Sequence, residues 1–354
     1  MNYSKFAAVF VAAIAATLLV TPSFAAKKVK WKMHSAWGSN LPHLGTSGVR
    51  FAKNIKRMSG GNFNIKFFEP GALVPGNEGF DATSKGSVDA AWTTAGYDVG
   101  KHPALAFFTA VPFGPSMGEF FAWKKFGGGS EIQQRVYAAS GIQQMDCHAI
   151  GPETSGWFKT EVTDLKQLRG LKMRFFGLGA RVMQKIGVST QLLAGGDIFP
   201  ALEKGVIDAT EFSMPAMDIK YGFYQIAKNN YFPGWHQQVS INQLLMNKKK
   251  WDGLADNFKA MIEVGCGDAI HHTYAETEYV NPFAMVEMGE KYGVVTRRWT
   301  DDQIAVFEKA WNEVVEEDSA KDPLFKETYE SYTKFRKAYA KWGTAQSLKP
   351  TYLK

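Results

Sequence analysis

The phrase Lys-Gly-x-(Val/Ile)-Asp-Ala is written twice in this chain, at residues 85–90 and again at 204–209. Each copy follows a short segment of helical character and opens an apolar run, VDAAW after Gly86 and VIDATEF after Gly205. A glycine between a helix and a buried strand is where a left-handed cap residue belongs, because glycine has no Cβ to clash there. The flanking segments repeat the same grammar. VKWKMHSAW (29–37) alternates as a strand, Val49, Ala52, Ile55 and Met58 recur at helical spacing before Gly60-Gly61, and NFNIKFFEP is a second strand closed by Pro70-Gly71. In the second half LKMRFFG (171–177) and STQLLA read as strands, ARVMQKIG as a helix closed by Gly187, and DIFPALEK as a helix capped by Asp197. Strand–helix–strand alternation predicts a parallel sheet covered by helices. Its recurrence, at the same step in both halves, predicts two similar α/β lobes.

Open α/β sheets bind ligands beyond the carboxyl ends of their strands. Two facing lobes would therefore put residues 93–97 and 211–213 on opposite walls of one cleft, with the acid Glu211 at the end of a buried strand. Arg174 lies inside the apolar run MRFFG at the corresponding place. An arginine is rarely buried unpaired, and its planar fork matches a carboxylate. An ion pair with an acid of its own lobe and a clamp for a ligand carboxylate both fit; the clamp is preferred. Trp37, Trp92, Tyr97, Trp157, Phe176 and Phe212 fall at strand ends or loops beside this cleft. Since large aromatics mostly serve as core, about half are expected to meet a ligand, and Trp92, inside its strand, is expected to pack.

A chain of 354 residues, 45% of them hydrophobic, can bury the cores of two medium domains. Residues 1–26 have the form of a secretory signal: Lys5, an apolar run from Phe6 to Val20 too short to span a bilayer, and a small-residue ending cleaved near Ala25 or Ala26. No later segment is apolar for long enough to span, so an exported, soluble protein is expected. Net charge is +7. It is scattered apart from residues 27–32 and 248–250, without zinc-finger or RNA-binding spacing, which argues against a nucleic-acid partner. Cys147 and Cys266 are the only cysteines. Two buried thiols are the preferred state and a disulfide the alternative, and the spacing does not suit a metal. No HExxH, GxSxG or phosphate-binding loop is present. The adjacent pair His271-His272 would point to different sides of a helix, and His34, His43, His102, His148 and His236 stand apart from one another. From about Trp251 long helices are predicted. The first is one extended helix or two in series, weakened by Gly265 and Gly267. The last carries Phe325, Tyr329, Tyr332, Phe335 and Tyr339 as a stripe, for packing on its own domain or, next, on a partner subunit.

FFEPGALVP (67–75), AVPFGP (110–115), GLKMRFFG (170–177), LAGGDIFPALEKGVIDATEF (193–212) and FPGW (232–235) together resemble the solute receptors of TRAP (tripartite ATP-independent periplasmic) transporters over nearly all of the mature chain. The resemblance is strongest to the subgroup that binds 2-oxo acids and lactate with a metal ion. It implies an α/β, two-lobed periplasmic binding protein fold with hinge strands, a long connecting helix and a C-terminal helical extension. Lobe 1 would comprise 27–150 with about 238–275, lobe 2 would comprise 151–237 with about 276–325, and 326–354 would form a C-terminal helix that swaps to make a homodimer. A periplasmic home, a small carboxylate ligand and a membrane permease of two subunits as partner are implied with it.

Position by position, Arg174 matches the family's carboxylate-binding arginine. Glu211 and Phe212 fall where the subgroup places a metal-binding acid and a carbonyl ligand. Gln237 stands where relatives commonly place a glutamate. Glu153 stands where relatives place a glutamine that ligates the ion, a departure that a one-residue slip in GPETSGWF would undo. The resemblance thus implies Arg174, Tyr97, Gly96, Ala95, Glu153, Phe212 and Trp37 around the substrate, Tyr97 offering its hydroxyl to a 2-oxo or 2-hydroxy group, and Glu153, Glu211, Phe212 and Gln237 around the metal. Glu153, Glu211 and a substrate carboxylate sum to −3, and Arg174 brings the total to −2, a costly buried charge. A divalent ion would cancel it, and the hard oxygen donors suit Ca²⁺; Na⁺ with a protonated Glu153 is the alternative. The rival function is a secreted metal-dependent lyase acting on 2-oxo acids, for which His236 and Tyr97 are the available general acid–base groups.

Overall fold

The computed structural model of the protein describes residues 28–346. The expected signal, its cleavage near Ala25 or Ala26, and the last eight residues of the C-terminal segment lie outside them. Eleven strands form two sheets. The first contains β1 (Val29–Ser35), β2 (Phe63–Phe68), β3 (Ala90–Thr93), β4 (Ile142–Ile150) and β10 (Ser240–Asn247), ordered β2-β1-β3-β10-β4. The second contains β5 (Gly156–Phe158), β6 (Lys172–Arg174), β7 (Ser189–Gln191), β8 (Ala209–Thr210), β9 (Asn229–Tyr231) and β11 (Val295–Arg297), ordered β11-β9-β5-β8-β6-β7.

Within the units read from sequence the pairing is parallel, β1 with β2 and β3, and β6 with β7 and β8. The sheets as wholes are mixed: β10 is antiparallel to β3 and β4, and β5 is antiparallel to β8 and β9. Connectivity explains it. The chain leaves the first sheet along β4 and comes back into it along β10, so β10 must run against its neighbours. These two crossings are the hinge strands.

The doubled phrase is a scaffold device in both lobes. Gly86 and Gly205 sit at φ +75° and +69°, the left-handed region expected of them. Each aspartate then ties its strand to the one beside it. Asp89 Oδ2 accepts the Lys32 amide at 2.7 Å while its own N–H donates to Lys32 O, and Asp208 Oδ2 accepts the Lys172 amide at 2.9 Å while its N–H donates to Lys172 O.

Some elements are shorter than the apolar runs that suggested them, β6 stopping at Arg174 and β7 at Gln191. Asp197 lies in the first turn of helix Gly195–Glu203, whose N-cap is Ala194, so it is not the cap expected. Its charge still favours that end of the helix dipole. Asp256–Glu290 is one continuous helix of 35 residues, about 50 Å long. Gly265 lets it approach the first lobe, since a Cβ there would come within 3.1 Å of Ile55 and 3.2 Å of Phe51. One residue on, Cys266 is disulfide-bonded to Cys147 of β4, with Cα atoms 4.1 Å apart. The preferred thiol state is therefore corrected: strand and helix pack side by side and bring together cysteines 119 residues apart in sequence. The C-terminal helix Pro323–Ala345 packs Phe325 and Tyr332 onto Phe107 and Trp123 of its own chain, and Arg336 reaches Glu119 and the Phe113 carbonyl. Among the described residues no helix is long and apolar enough to cross a membrane.

Candidate functional site

β6 and β8 run parallel with Arg174 opposite Thr210, so their carboxyl ends deliver Arg174 and Glu211 to one point. The two are paired there, both fully buried. Arg174 Nη1 donates to Glu211 Oε1 at 2.7 Å and to the Glu211 carbonyl at 2.9 Å, and Nε donates to the Leu193 carbonyl at 3.3 Å. No hydrogen bond among the described residues engages Nη2. The alternatives left open by the sequence are thus not exclusive. Arg174 has an ion-pair partner in its own lobe and keeps one donor edge for something else. Phe176 and Phe212 flank its guanidinium at 5.8 and 5.3 Å.

The hinge crossings supply the rest. Between β4 and β5, Glu153 donates its amide to the Gln237 carbonyl and accepts the Gly234 amide, which locks the outgoing and returning segments together. Its Oε1 accepts the Ser213 hydroxyl at 2.9 Å, and its Oε2 has no protein partner. Glu211 Oε1 also accepts the Phe176 amide, while Glu211 Oε2 is unpartnered except for His236 Nε2 at 3.5 Å, a charge contact too long for a good hydrogen bond. Gln237 Oε1 is buried and unpartnered as well. One ligand atom each from Glu153, Glu211 and His236 lie within 4.8 Å of one another. Glu153 therefore stands beside Glu211, and His236 joins a cluster whose charge count omitted it.

The two acids are held in opposite states. Burial disfavours the Glu211 charge, but Arg174, His236 and the Phe176 amide outweigh it and keep the carboxyl below its usual range. Glu153 is pushed well above that range, by burial first and by the Glu211 charge second. Behind them Asp218 accepts Trp157 Nε1 at 2.7 Å, the Thr154 hydroxyl and the Ser213 amide, and burial lifts it to about 7.

These residues fit a cation. An unmet buried carboxylate or amide oxygen costs about 1–3 kcal/mol, and here two acids with an unmet oxygen each cluster with an imidazole, while Gln237, lining the same cavity as Glu153, adds a third unmet oxygen. Carboxylate and amide oxygens are hard donors of the kind that hold Ca²⁺ or Na⁺. Glu153, Glu211 and Gln237 are the side chains that would do so.

The remaining walls come from the first lobe and the hinge. Trp37, Leu44, Thr94 and Tyr97 line the same cavity as Arg174, Glu153, Gln237, Phe176 and Phe212, together with Ile150, Ser240 and Asn242. Tyr97 packs on Trp37 and edge-on to Phe176, and burial raises its hydroxyl pKa, keeping it a neutral donor. Ala95 and Gly96, expected at the substrate, are not among the lining residues. Gly96 is the point where the lobes touch: a Cβ on it would lie 1.9 Å from Phe176 Cζ, so only glycine permits the approach. Trp92 packs as expected, stacked on His148 at 4.4 Å with its N–H on the Leu44 carbonyl. Trp157 is spent on Asp218, and Trp235 stacks on Phe113, Phe175 and Phe307. Leu44, Thr94, Ile150, Ser240 and Asn242 were missed by the sequence reading. For the last two a signal existed, since Ser240 and Asn242 alternate at the start of the apolar run SINQLLM and so share one face of a buried strand.

Comparison with known proteins agrees with this architecture. The family described as bacterial extracellular solute-binding protein, family 7 (DctP), matches residues 34–322. A monocarboxylate 2-oxoacid-binding periplasmic protein of Nostoc sp. is 32% identical over 98% of this chain and 96% of its own. A TRAP transporter solute-binding protein from Bordetella bronchiseptica, solved as a dimer with calcium and picolinate in one active site, superposes with a TM-score of 0.88 at 31% identity, covering 90% of this chain and 95% of that one. Another from Pseudoalteromonas atlantica, with bound sodium and pyruvate, superposes at 0.87 with 28% identity, covering 90% and 97%. With two α/β lobes, hinge strands and a family match across most of its length, the chain belongs to the DctP family of bacterial extracellular solute-binding proteins, the solute receptors of TRAP transporters.

Proposed function

We propose that this receptor captures a small 2-oxo or 2-hydroxy monocarboxylate of the pyruvate or lactate type together with a metal ion, and delivers it in the periplasm to a two-subunit membrane permease. One observation carries the reading: an arginine with a spare donor edge lines one cavity with the unmet oxygens of Glu153 and Gln237, and the unmet acid Glu211 is clustered with Glu153 beside it. Arg174 Nη2 takes the ligand carboxylate, and Tyr97 donates to the 2-oxygen. Glu153, Glu211, Gln237 and the Phe212 carbonyl hold the ion, which would supply the positive charge that lets acids and ligand carboxylate share a dry site. A cation bound against Glu153 would draw off the proton that burial favours there; counting ionised Glu153, Glu211 and the ligand against Arg174 then leaves −2, so Ca²⁺ is favoured over Na⁺. The pyruvate and picolinate bound by the two structural relatives, with sodium and calcium respectively, support the ligand class and leave the choice of ion to experiment.

Capture closes the lobes, 27–150 with about 238–275 against 151–237 with about 276–325, by hinge motion at the two crossings. Two copies pair through the C-terminal helix, whose far end leaves Trp342 62% exposed. Titrating pyruvate calorimetrically into ligand-stripped protein, first in EDTA and then with Ca²⁺ or Na⁺ restored, tests the proposal. Tight binding only with Ca²⁺ is the expected result. Binding that ignores metal would make Glu211 structural, and conversion of the acid during the titration would favour an enzyme.

A further inference from the structure

The same cavity carries a polar network that the roles above leave unused. Thr94 and Thr109 share a hydroxyl–hydroxyl hydrogen bond of 2.7 Å, Thr109 stands 3.2 Å from Ser240 Oγ, and both Thr109 and Ser240 reach Asn242 Oδ1, at 3.5 and 3.3 Å. Thr94 Oγ1 already accepts the Gly96 amide. Each hydroxyl has one hydrogen to place, and the Asn242 carbonyl oxygen accepts from Thr109 and Ser240. That leaves the amide nitrogen outside the network. Asn242 Nδ2, on a residue only 2% exposed that lines the cavity, is left with both hydrogens and no protein partner. The pairing register of β10 with β4 shifts between Asn242 and Gln243, an irregularity of the kind that re-aims a side chain.

The same cavity is thus lined by Arg174 and Glu153 and, from β10, by an unpartnered amide donor. A ligand whose carboxylate is held at Arg174 would reach that donor with its other end. We propose that Asn242 is a specificity-determining residue. Its Nδ2 donates to an oxygen carried on C3, so that the preferred substrates are 2-oxo or 2-hydroxy acids bearing a hydroxyl or carbonyl oxygen there, not ones with an alkyl tail. Leu44 and Ile150, which line the same cavity, are apolar and offer the tail no competing polar partner. A site built around a buried donor rejects the analogue that leaves the donor unpaired.

The inference rests on the receptor reading above, and its test keeps the two apart. 3-Hydroxypyruvate and 2-oxobutyrate differ only in a hydroxyl against a methyl, so both are titrated into the metal-loaded, full-length protein beside pyruvate. Wild type is expected to bind 3-hydroxypyruvate at least about tenfold more tightly than 2-oxobutyrate. In Asn242→Leu that preference should vanish or invert, chiefly through loss of hydroxypyruvate affinity. Equal or better binding of 2-oxobutyrate by wild type overturns the assignment without any variant, which covers the case that Asn242→Leu does not fold. A well-folded Asn242→Leu that loses both ligands equally also overturns it, since Asn242 would then only support the wall. If pyruvate binds and the preference is absent, only Asn242 is reassigned; if no 2-oxo acid binds, the receptor reading falls and this one with it.

Discussion

The two copies of Lys-Gly-x-(Val/Ile)-Asp-Ala do the same structural work and end in opposite chemistry. In each, a left-handed glycine turns the chain and an aspartate bonds the amide of a lysine on the neighbouring strand, Lys32 in one lobe and Lys172 in the other. After the first copy the chain continues as Thr-Thr-Ala-Gly-Tyr, a neutral wall of hydroxyls and an aromatic ring. After the second it continues as Glu-Phe-Ser, and Glu211 meets Arg174, Glu153 and His236. One scaffold step thus serves two purposes. On the proposed function the charged wall would supply affinity and the need for a cation, whereas the neutral wall would discriminate among the ligands that satisfy it.

Arg174→Ala is the sharpest way to break this contrast. It removes the ligand's carboxylate partner and leaves Glu211 buried without its cation, so two losses are expected. Affinity for pyruvate should fall at least tenfold, and stability should fall by about 3–5 kcal/mol, the usual cost of orphaning one member of a buried ion pair. Calorimetry and urea unfolding read the two separately. A variant that kept both would mean that the charged wall is not organised around Arg174.

A second contrast lies beneath the walls, where each lobe hides an acid lifted to about 7. Asp98 follows Tyr97 directly and is raised by burial, against the pull of Lys101 and with help from Asp81 and Glu78; Asp218 sits under Ser213. A carboxyl whose folded pKa exceeds its unfolded 3.8 binds its proton more tightly when folded, so its stabilising contribution is complete below pH ~4 and is lost as pH rises towards 7. Asp98→Asn removes that dependence. The stability of wild type relative to Asp98→Asn should therefore decline between pH 4 and 7, by an amount on the order of 4 kcal/mol, with no further change above. Urea melts at three pH values across that window check it, and a flat difference would place Asp98 in a solvated, ordinary environment.

How much of this was legible in the sequence follows from which interactions are local. Gly86 and Gly205 could be placed because a helix end and a strand start are adjacent in the chain. Arg174 and Glu211 could be singled out because a charge in an apolar run has few physical explanations. The antiparallel β10 could not, since its direction depends on the chain returning from the other lobe. The Cys147–Cys266 disulfide joins a strand to a helix 119 residues on, and no local pattern records that they pack together. His236 was seen only as a possible acid–base group, because its place beside Glu211 depends on how two hinge segments cross. The packing role of Gly96 left no local trace either: its missing side chain admits Phe176 from the other lobe, and Tyr97 next to it lines the cavity.

The equivalence of the doubled phrase can be tested at its aspartates. Asp89→Ala and Asp208→Ala each remove a charge-assisted bond to a strand amide, which contributes about 1.5–3 kcal/mol. Both variants should be destabilised by similar amounts in urea unfolding while pyruvate affinity stays within a few-fold of wild type. Unequal losses would end the equivalence, and a large loss of affinity in only one would mean that the phrase reaches into the site on that side.

The smallest effect expected is on the neutral wall. Tyr97→Phe deletes a hydroxyl and keeps the ring that packs on Trp37 and Phe176, so the lobe contact survives. A neutral hydrogen bond is worth about 0.5–1.5 kcal/mol, which corresponds to a loss of roughly two- to twelvefold in affinity for an acid with a 2-oxygen. Since the tyrosine carries no charge, that loss should be the same with Ca²⁺ and with Na⁺, whereas substitutions at Glu153 should change the ratio between the two ions. If Tyr97→Phe altered the ion preference, the hydroxyl would belong with the acids, and the division between a wall that binds charge and a wall that reads shape would be drawn in the wrong place.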